Sequence, residues 1–261
     1  MSSSSRLEKA PTGIRGFDEI TGGGLPKGRP TLVTGGAGTG KTLFATEFLV
    51  QGIRRCGEAG VLITFEEERQ DLLENLASLG LELPQLIEAG LLRIEPCLLR
   101  SSEIVHNGRF NLEGLFVRLE QAVEAVGAQR VAVDTIELLL GAFEDAFTVR
   151  SELDRLFHWL RERRLTTVVT GERGADQQLT RHGIEEYVSD CVVVLDHRVE
   201  HQVSTRRLRV MKYRGSAHGT NEYPFVINET GLSVLPITAM GLNYGASDEL
   251  ISSGNERLDQ M

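Results

Sequence analysis

The stretch TLVTGGAGTGKTLF, residues 31–44, limits what this chain can fold into more than any other. A short apolar run breaks into glycines and resumes as a segment with helical spacing. Within it, Gly35-Gly36-Ala37-Gly38-Thr39-Gly40-Lys41-Thr42 fits the pattern G-x-x-x-x-G-K-[ST]. The glycines let the backbone wrap until successive N–H groups point inward at phosphate oxygens. Lys41 is placed to reach the β- and γ-phosphates of a nucleotide, Thr42 to offer its hydroxyl to Mg²⁺, and the following helix to add its positive N-terminal end. Lysine occurs at only four positions, Lys9, Lys27, Lys41 and Lys212, against 24 arginines. A compact ammonium suits this loop better than a planar fork, so Lys41 is a place where arginine would fail.

Around the loop, short apolar runs alternate with helix-like ones. Strands are expected at residues 31–35, 60–65, 91–96, 130–134, 166–170 and 191–196. Helices are expected at 42–55, about 71–79, 112–126 and 150–164. The segment LEGLFVRLEQAVEAV repeats apolar residues at i, i+3, i+4 and i+7, as an amphipathic helix does. The alternation predicts an α/β fold with a mostly parallel sheet covered on both faces. In the last quarter RRLRVMKYR, YPFVIN and LSVLP follow closely on one another, which predicts antiparallel strands added at one edge.

A phosphate loop needs an acidic strand end to hold Mg²⁺. RVAVD supplies Asp134 after an apolar strand. Hydrolysis also needs a group that orients or deprotonates water. ITFEEER puts Glu66 and Glu67 just past another buried strand, where strand alternation sends them to opposite faces and gives them different jobs. Farther on, LRVMKYRG spaces Lys212 and Arg214 two apart, on the face that also carries Leu208 and Val210. A buried face that turns basic at its end offers charge to an anion, as arginine fingers from a neighbouring subunit do in phosphoryl transfer.

The chain has 261 residues, a formal net charge of −9, and 41% hydrophobic and 25% charged residues. No run reaches the roughly 18 apolar residues of a membrane span. The opening MSSSSRLEKA lacks the apolar core of a secretory signal and reads as a disordered leader over residues 1–10. Cys56, Cys97 and Cys191 read as buried, reduced thiols of a cytoplasmic protein.

These pieces in this order resemble the KaiC family, the RecA-like ATPases of circadian clocks and related stress-linked proteins. Beyond the phosphate loop, the resemblance rests on TGIRGFDEITGGGL, TFEE, GIEEYVSD and KYRGSAHGTNEYPF. It implies a RecA-like P-loop ATPase domain over residues 11–237, and a homo-hexamer binding ATP and Mg²⁺ between subunits with slow hydrolysis. It implies Gly36, Gly38, Thr39, Gly40, Lys41, Thr42 and Leu43 around the phosphates, and Thr42, Asp134 and Glu67 near the metal. Glu66 and Glu67 become the catalytic glutamates, acting with Lys41. Lys212 and Arg214 reach across the interface, and Ser78, Tyr213, Ser216, His218, Asn228 and Glu229 line the nucleotide from either side of it.

That family carries two ATPase halves in tandem. Residues 253–261, SGNERLDQM, line up with residues 12–20, TGIRGFDEI, Gly254 on Gly13 and Asp259 on Asp18. Residues 238–261 therefore resemble a linker and the start of a second half. Where the family's second half autophosphorylates, this chain has Glu186-Tyr187, the pattern of the hydrolysing half. The full protein, rather than this part of it, is the expected autokinase. The segment that docks the partner KaiB corresponds to residues 97–112, where CLLRSSEIVHNGRFNL departs from the family's acidic, Pro-containing stretch and counts against that partner.

A DNA recombination or repair ATPase of the RecA type is the competing expectation. Such proteins present basic or disordered loops to the ring pore. Here LGAFEDAFTV, residues 140–149, is acidic and apolar, and GADQQLTR, residues 174–181, offers one arginine. With the acidic net charge, this makes nucleic acid an unfavoured partner.

Overall fold

A strand that is apolar along its whole length must be covered on both faces, and it is this demand that layers the molecule. The computed structural model describes residues 7–97, 112–141, 145–174 and 189–236. The segments 98–111, 142–144 and 175–188, residues 237–261 and the first six residues of the leader lie outside the described residues. So, in whole or large part, do the KaiB-type segment, Glu186-Tyr187, the 174–181 loop and the tail repeat expected from the sequence.

The chain opens with a two-residue ladder, β1 (Lys9–Ala10) against β2 (Leu25–Pro26), flanking the short helix α1 (Phe17–Thr21). The parallel strands are β3 (Pro30–Gly35), β4 (Gly60–Thr64), β5 (Leu92–Pro96), β6 (Arg130–Asp134), β7 (Thr166–Glu172) and β8 (Cys191–Glu200). Antiparallel strands β9 (Val203–Tyr213), β10 (Tyr223–Asn228) and β11 (Gly231–Val234) extend the sheet beyond β8, as the close spacing of the last strands predicts. The full order is β11-β10-β9-β8-β3-β7-β6-β4-β5. From β3 the chain runs outward to β4 and β5, returns through β6 and β7, and then crosses to the other side of β3 with β8. The crevice at the carboxyl end of β3 is therefore a switch point, where open α/β sheets bind ligands.

The helices are α2 (Lys41–Cys56), α3 (Arg69–Ala77), α4 (Leu83–Glu88), α5 (Glu113–Val126), α6 (Ile136–Leu140) and α7 (Ala146–Glu162). Strand alternation divides the core in two. Leu62, Val33, Ala132 and Val193 face α2 and pack with Phe44, Phe48 and Leu49. Val61, Ile63, Val131 and Val133 face the other way, onto Leu119 of α5 and Leu153, Leu156 and Phe157 of α7. Helix α7 starts earlier than its apolar pattern suggests because Asp145 caps it, its carboxylate accepting from the Thr148 N–H at 2.9 Å. Cys97 and Cys191 are buried as expected, but Cys56 is exposed, because it ends α2 in a turn that carries Arg54 and Arg55 on the protein surface.

One buried acid joins α2 to the antiparallel edge. Glu47 is 4% exposed and accepts from the Leu232 N–H at 3.0 Å. Burial pushes its carboxyl up to about 7, against the opposing pull of that N–H and of Arg55. The folded state then holds a proton that the unfolded state releases near pH 4.5, so this group's contribution is full below that pH and is lost as pH rises through 7. Glu47→Gln keeps the acceptor and removes the titration. Relative to the natural chain it is expected to gain about 2 kcal/mol between pH 5.5 and pH 8, measured by thermal unfolding at the two pH values. Equal pH slopes for the two proteins would refute the assignment.

Candidate nucleotide site

The loop after β3 adopts the conformation its glycines permit. Gly38 and Gly40 have φ of 68° and 101°, left-handed values that a side chain resists. A Cβ on Gly40 would also meet Cδ1 of Ile227 at 2.7 Å. Gly40 precedes the first turn of α2 without a side-chain cap, so the backbone N–H groups there are open to an anion. The Lys41 ammonium is buried and donates to the carbonyls of Gly35 at 3.0 Å and Gly36 at 2.9 Å. It is thereby held inside the loop with one proton left for a phosphate oxygen. Thr39 closes the turn by donating to the Gly36 carbonyl at 2.9 Å, and Leu43 anchors the helix start in the core.

Asp134 ends β6 beside this loop. Its Oδ2 accepts from the Thr42 hydroxyl at 2.8 Å, and its Oδ1 accepts from Thr170. Burial raises the Asp134 pKa, while the hydrogen bonds from Thr170 and Thr42 and the Lys41 charge pull it down. A hydroxyl and a carboxylate in contact at the mouth of a phosphate loop are hard oxygen donors of the kind Mg²⁺ takes, with water and phosphate oxygens completing the shell. No group of three or more His, Cys, Asp or Glu side chains suited to a metal occurs among the described residues. A Mg-nucleotide site needs none.

Glu66 and Glu67 both line the same cleft, a cavity of about 350 Å³ that also takes in residues 37–43, Thr135 and Glu172. Alternation between opposite faces does not separate them, because β4 has already ended at Thr64 and the two glutamates lie on the bend that follows. Their partners separate them instead. Glu66 accepts from the Thr135 hydroxyl at 3.2 Å, beside Asp134, and Glu67 accepts from Asn75 of α3 at 3.1 Å. Desolvation first, and the Asp134 charge second, raise the pKa of Glu66. A carboxylate so placed can accept a proton from water more readily than an ordinary surface glutamate.

The rest of the cleft is apolar: Leu72, Leu76 and Leu79 from α3 and its end, and Ile227 from β10. Ser78 caps the end of α3, donating to the Asn75 carbonyl at 2.7 Å, and does not itself line the cleft. Asn228 ends β10 next to Ile227, and Glu229 opens the turn that follows. The Glu229 carbonyl packs so close to Gly80 that a Cβ there would lie 2.3 Å away. This gathers the loop and a flat apolar patch into one cleft, as a nucleotide's phosphates and base require. Glu172, Thr135, Asn75 and the leucines were not singled out from the sequence. Glu172 was within reach of the rule that found Asp134, since it ends the buried strand TTVVTGE.

The remaining predicted residues stand elsewhere. Gly35 is paired with Leu195, but Tyr213 is paired with Cys191, which sits beside Thr31. Four residues of strand, roughly 13 Å, separate the level of the loop from the level of Tyr213, which lies between Lys212 and Arg214. The expectation that these two continue the face of Leu208 and Val210 is not met. A bulge leaves Met211 without a partner, so Val210 pairs with Val193 but Lys212 with Val192. The extra residue inverts the alternation. Tyr213 joins Leu208 and Val210 in the core, 6% exposed, with its hydroxyl donating to the Gly24 carbonyl at 2.9 Å. Lys212 turns to the opposite side, and Arg214 lies just past the strand end. His218 stacks on the Tyr213 ring with centroids 6.1 Å apart, and Ser216 lies in the same turn. Lys212, Tyr213, Arg214, Ser216 and His218 thus form a second group at the far end of the sheet.

The family model described as "ATPase: KaiC" matches residues 10–239. The circadian clock protein KaiC2 of Synechocystis sp. is 53% identical over 260 residues, covering 100% of this chain and 46% of that protein. The circadian clock oscillator protein KaiC of Synechococcus elongatus is 41% identical over 261 residues, with 98% and 49% covered. That of Parathermosynechococcus lividus is 40% identical over 256 residues, with 98% and 47% covered. The chain spans about half the length of the curated relatives it matches.

Proposed function

The chain belongs to the KaiC ATPase family, and from that premise we propose that it hydrolyses Mg-ATP slowly in clefts shared between copies of itself, as a homo-hexameric ring in the cytoplasm. Its mostly parallel sheet with an antiparallel edge is the RecA-like fold the resemblance implies. The reading is supported above all by the separation of the two groups. Lys212 and Arg214 lie too far from their own phosphate loop to reach it, which favours an action on the loop of another copy.

In this proposal the loop amides and Lys41 grip the phosphates, and the base rests on Leu72, Leu76, Leu79 and Ile227 near Ser78, Asn228 and Glu229. Thr42 and Asp134 would hold Mg²⁺, with Glu67 in electrostatic reach; when bound, the ion neutralises charge on the β- and γ-oxygens. Glu66 orients water and takes its proton, and Thr135 aims the carboxylate. Glu67 is tethered by Asn75 and ties the bend to α3. Lys212 and Arg214 of the adjoining copy stabilise the charge that develops on the transferred group. By likeness to relatives named as clock proteins, the nucleotide state would gate a protein partner in a timing role. Autokinase activity, and any KaiB-like partner, belong to the proposal for a longer protein.

The test mixes two inactive chains. Lys212→Ala/Arg214→Ala subunits combined with Glu66→Gln/Glu67→Gln subunits are expected to regain phosphate release, since some clefts then pair an intact loop with intact fingers. Co-purification of both chains through a tag carried by one of them, with Mg-ATP present, verifies the mixed rings. Proven mixed rings without any regained turnover would sink the shared cleft.

A further inference from the structure

The motif GIEEYVSD ends in an acid that the mechanism above leaves without a role. Asp190 immediately precedes β8 and is 5% exposed, and three guanidinium groups face its carboxylate. Arg161 of α7 donates to Oδ2 at 2.9 Å, while Nη1 of Arg214 and Nη1 of Arg29 lie 3.8 and 3.9 Å from Oδ1. The backbone repeats the link: the Arg214 N–H donates to the Asp190 carbonyl at 2.9 Å, and the Asp190 N–H to the Pro30 carbonyl at 3.2 Å. Arg214 leaves the sheet bonded to Asp190 through its main chain, with its guanidinium beside the same residue's carboxylate and half its side chain in solvent.

Arg214 is the most exposed of the three arginine side chains, 52% against 42% for Arg29 and 34% for Arg161, so its charge is the one most open to an anion arriving from outside. A long arginine side chain also loses considerable freedom when it is fixed. Fixing it in the folded protein removes that cost from the moment of reaction.

We infer that Asp190 is a positioning residue for Arg214. It holds the guanidinium at the reach and angle that meet the terminal phosphate of a nucleotide bound by the adjoining copy, and Arg29 and Arg161 keep the carboxylate in place. The inference rests on the proposed action of Arg214 across the interface.

Asp190→Asn in the full chain is expected to lower kcat about 10-fold per folded protein, with KM for ATP nearly unchanged. Mixed with Glu66→Gln/Glu67→Gln subunits, it is expected to be rescued, because the defect lies in the site its subunit lends to a neighbour. A merely structural defect would stay with its own subunit. A folded Asp190→Asn chain with full turnover, or one lacking activity that no mixing restores, would overturn the positioning role while leaving the shared cleft standing. Full activity of Arg214→Ala would overturn both. Should Asp190→Asn fail to fold, Asp190→Glu keeps the charge and displaces it by one methylene. A several-fold loss of kcat with the same rescue is then expected, and unaltered kcat refutes the assignment.

Discussion

Glu66→Gln combined with Glu67→Gln will cut phosphate release by about 10²- to 10⁴-fold, the range that removing a positioned base produces, while ATP-dependent assembly persists. The loop amides, Lys41 and the Thr42–Asp134 pair are untouched by these changes, so nucleotide affinity stays near that of the natural chain. The single variants discriminate the roles. Glu66 sits against Thr135 with a raised pKa, so Glu66→Gln alone carries most of the loss. Glu67 is bonded to Asn75, so Glu67→Gln, whose amide still reaches Asn75, loses far less. A phosphate-release assay beside equilibrium ATP binding measures both. Turnover at the natural rate in the double variant would remove the assigned base altogether.

Arg130→Ala is expected to destabilise the fold by about 3 kcal/mol or more, through loss of a buried charged partner and the cavity it leaves. Arg130 is fully buried where β6 meets α2. Its Nε donates to Glu58 at 2.7 Å, its Nη1 donates to the carbonyls of Pro11 at 2.9 Å and Phe48 at 3.0 Å, and its plane lies 4.7 Å over the Phe48 ring. The one side chain therefore fastens the N-terminal segment, the phosphate-loop helix and the sheet together. At this chain length the loss corresponds to a fall of roughly 10 °C in Tm. Arg130→Met fills the same space without burying a charge, so it is expected to lose less than half as much. Gly52→Ala gives an independent check, since the added Cβ would lie 2.3 Å from Nε of Arg130. Urea unfolding of the three variants decides. Equal stability of Arg130→Ala and the natural chain would show that the fastening is dispensable.

Much of the site was legible in the sequence because phosphate binding is a local act. Eight consecutive residues carry the loop, and the acids brought beside it, Asp134, Glu66 and Glu67, stand at or just past strand ends that apolar runs announce. The antiparallel edge was legible for a similar reason, since strands set a few residues apart have room only to fold back on one another. Glu66 and Glu67 were found but misdirected, since a strand period was applied to residues that had already left the strand. Cys56 was misread as buried although its sequence neighbours Arg54, Arg55 and Glu58 already marked a polar turn.

The sequence by itself determined the phosphate loop, its strand-to-helix setting, the acid that meets Thr42, and the α/β class. All of these follow from short-range backbone geometry and from the period of apolar residues. Only the tertiary structure decided which side Lys212 and Tyr213 take, at which end of the sheet Arg214 stands, and that Arg29, Arg161 and Arg214 converge on Asp190. The physical reason is register. A single unpaired residue at Met211 inverts every later side chain on β9, and pairing partners distant in sequence choose where that residue falls.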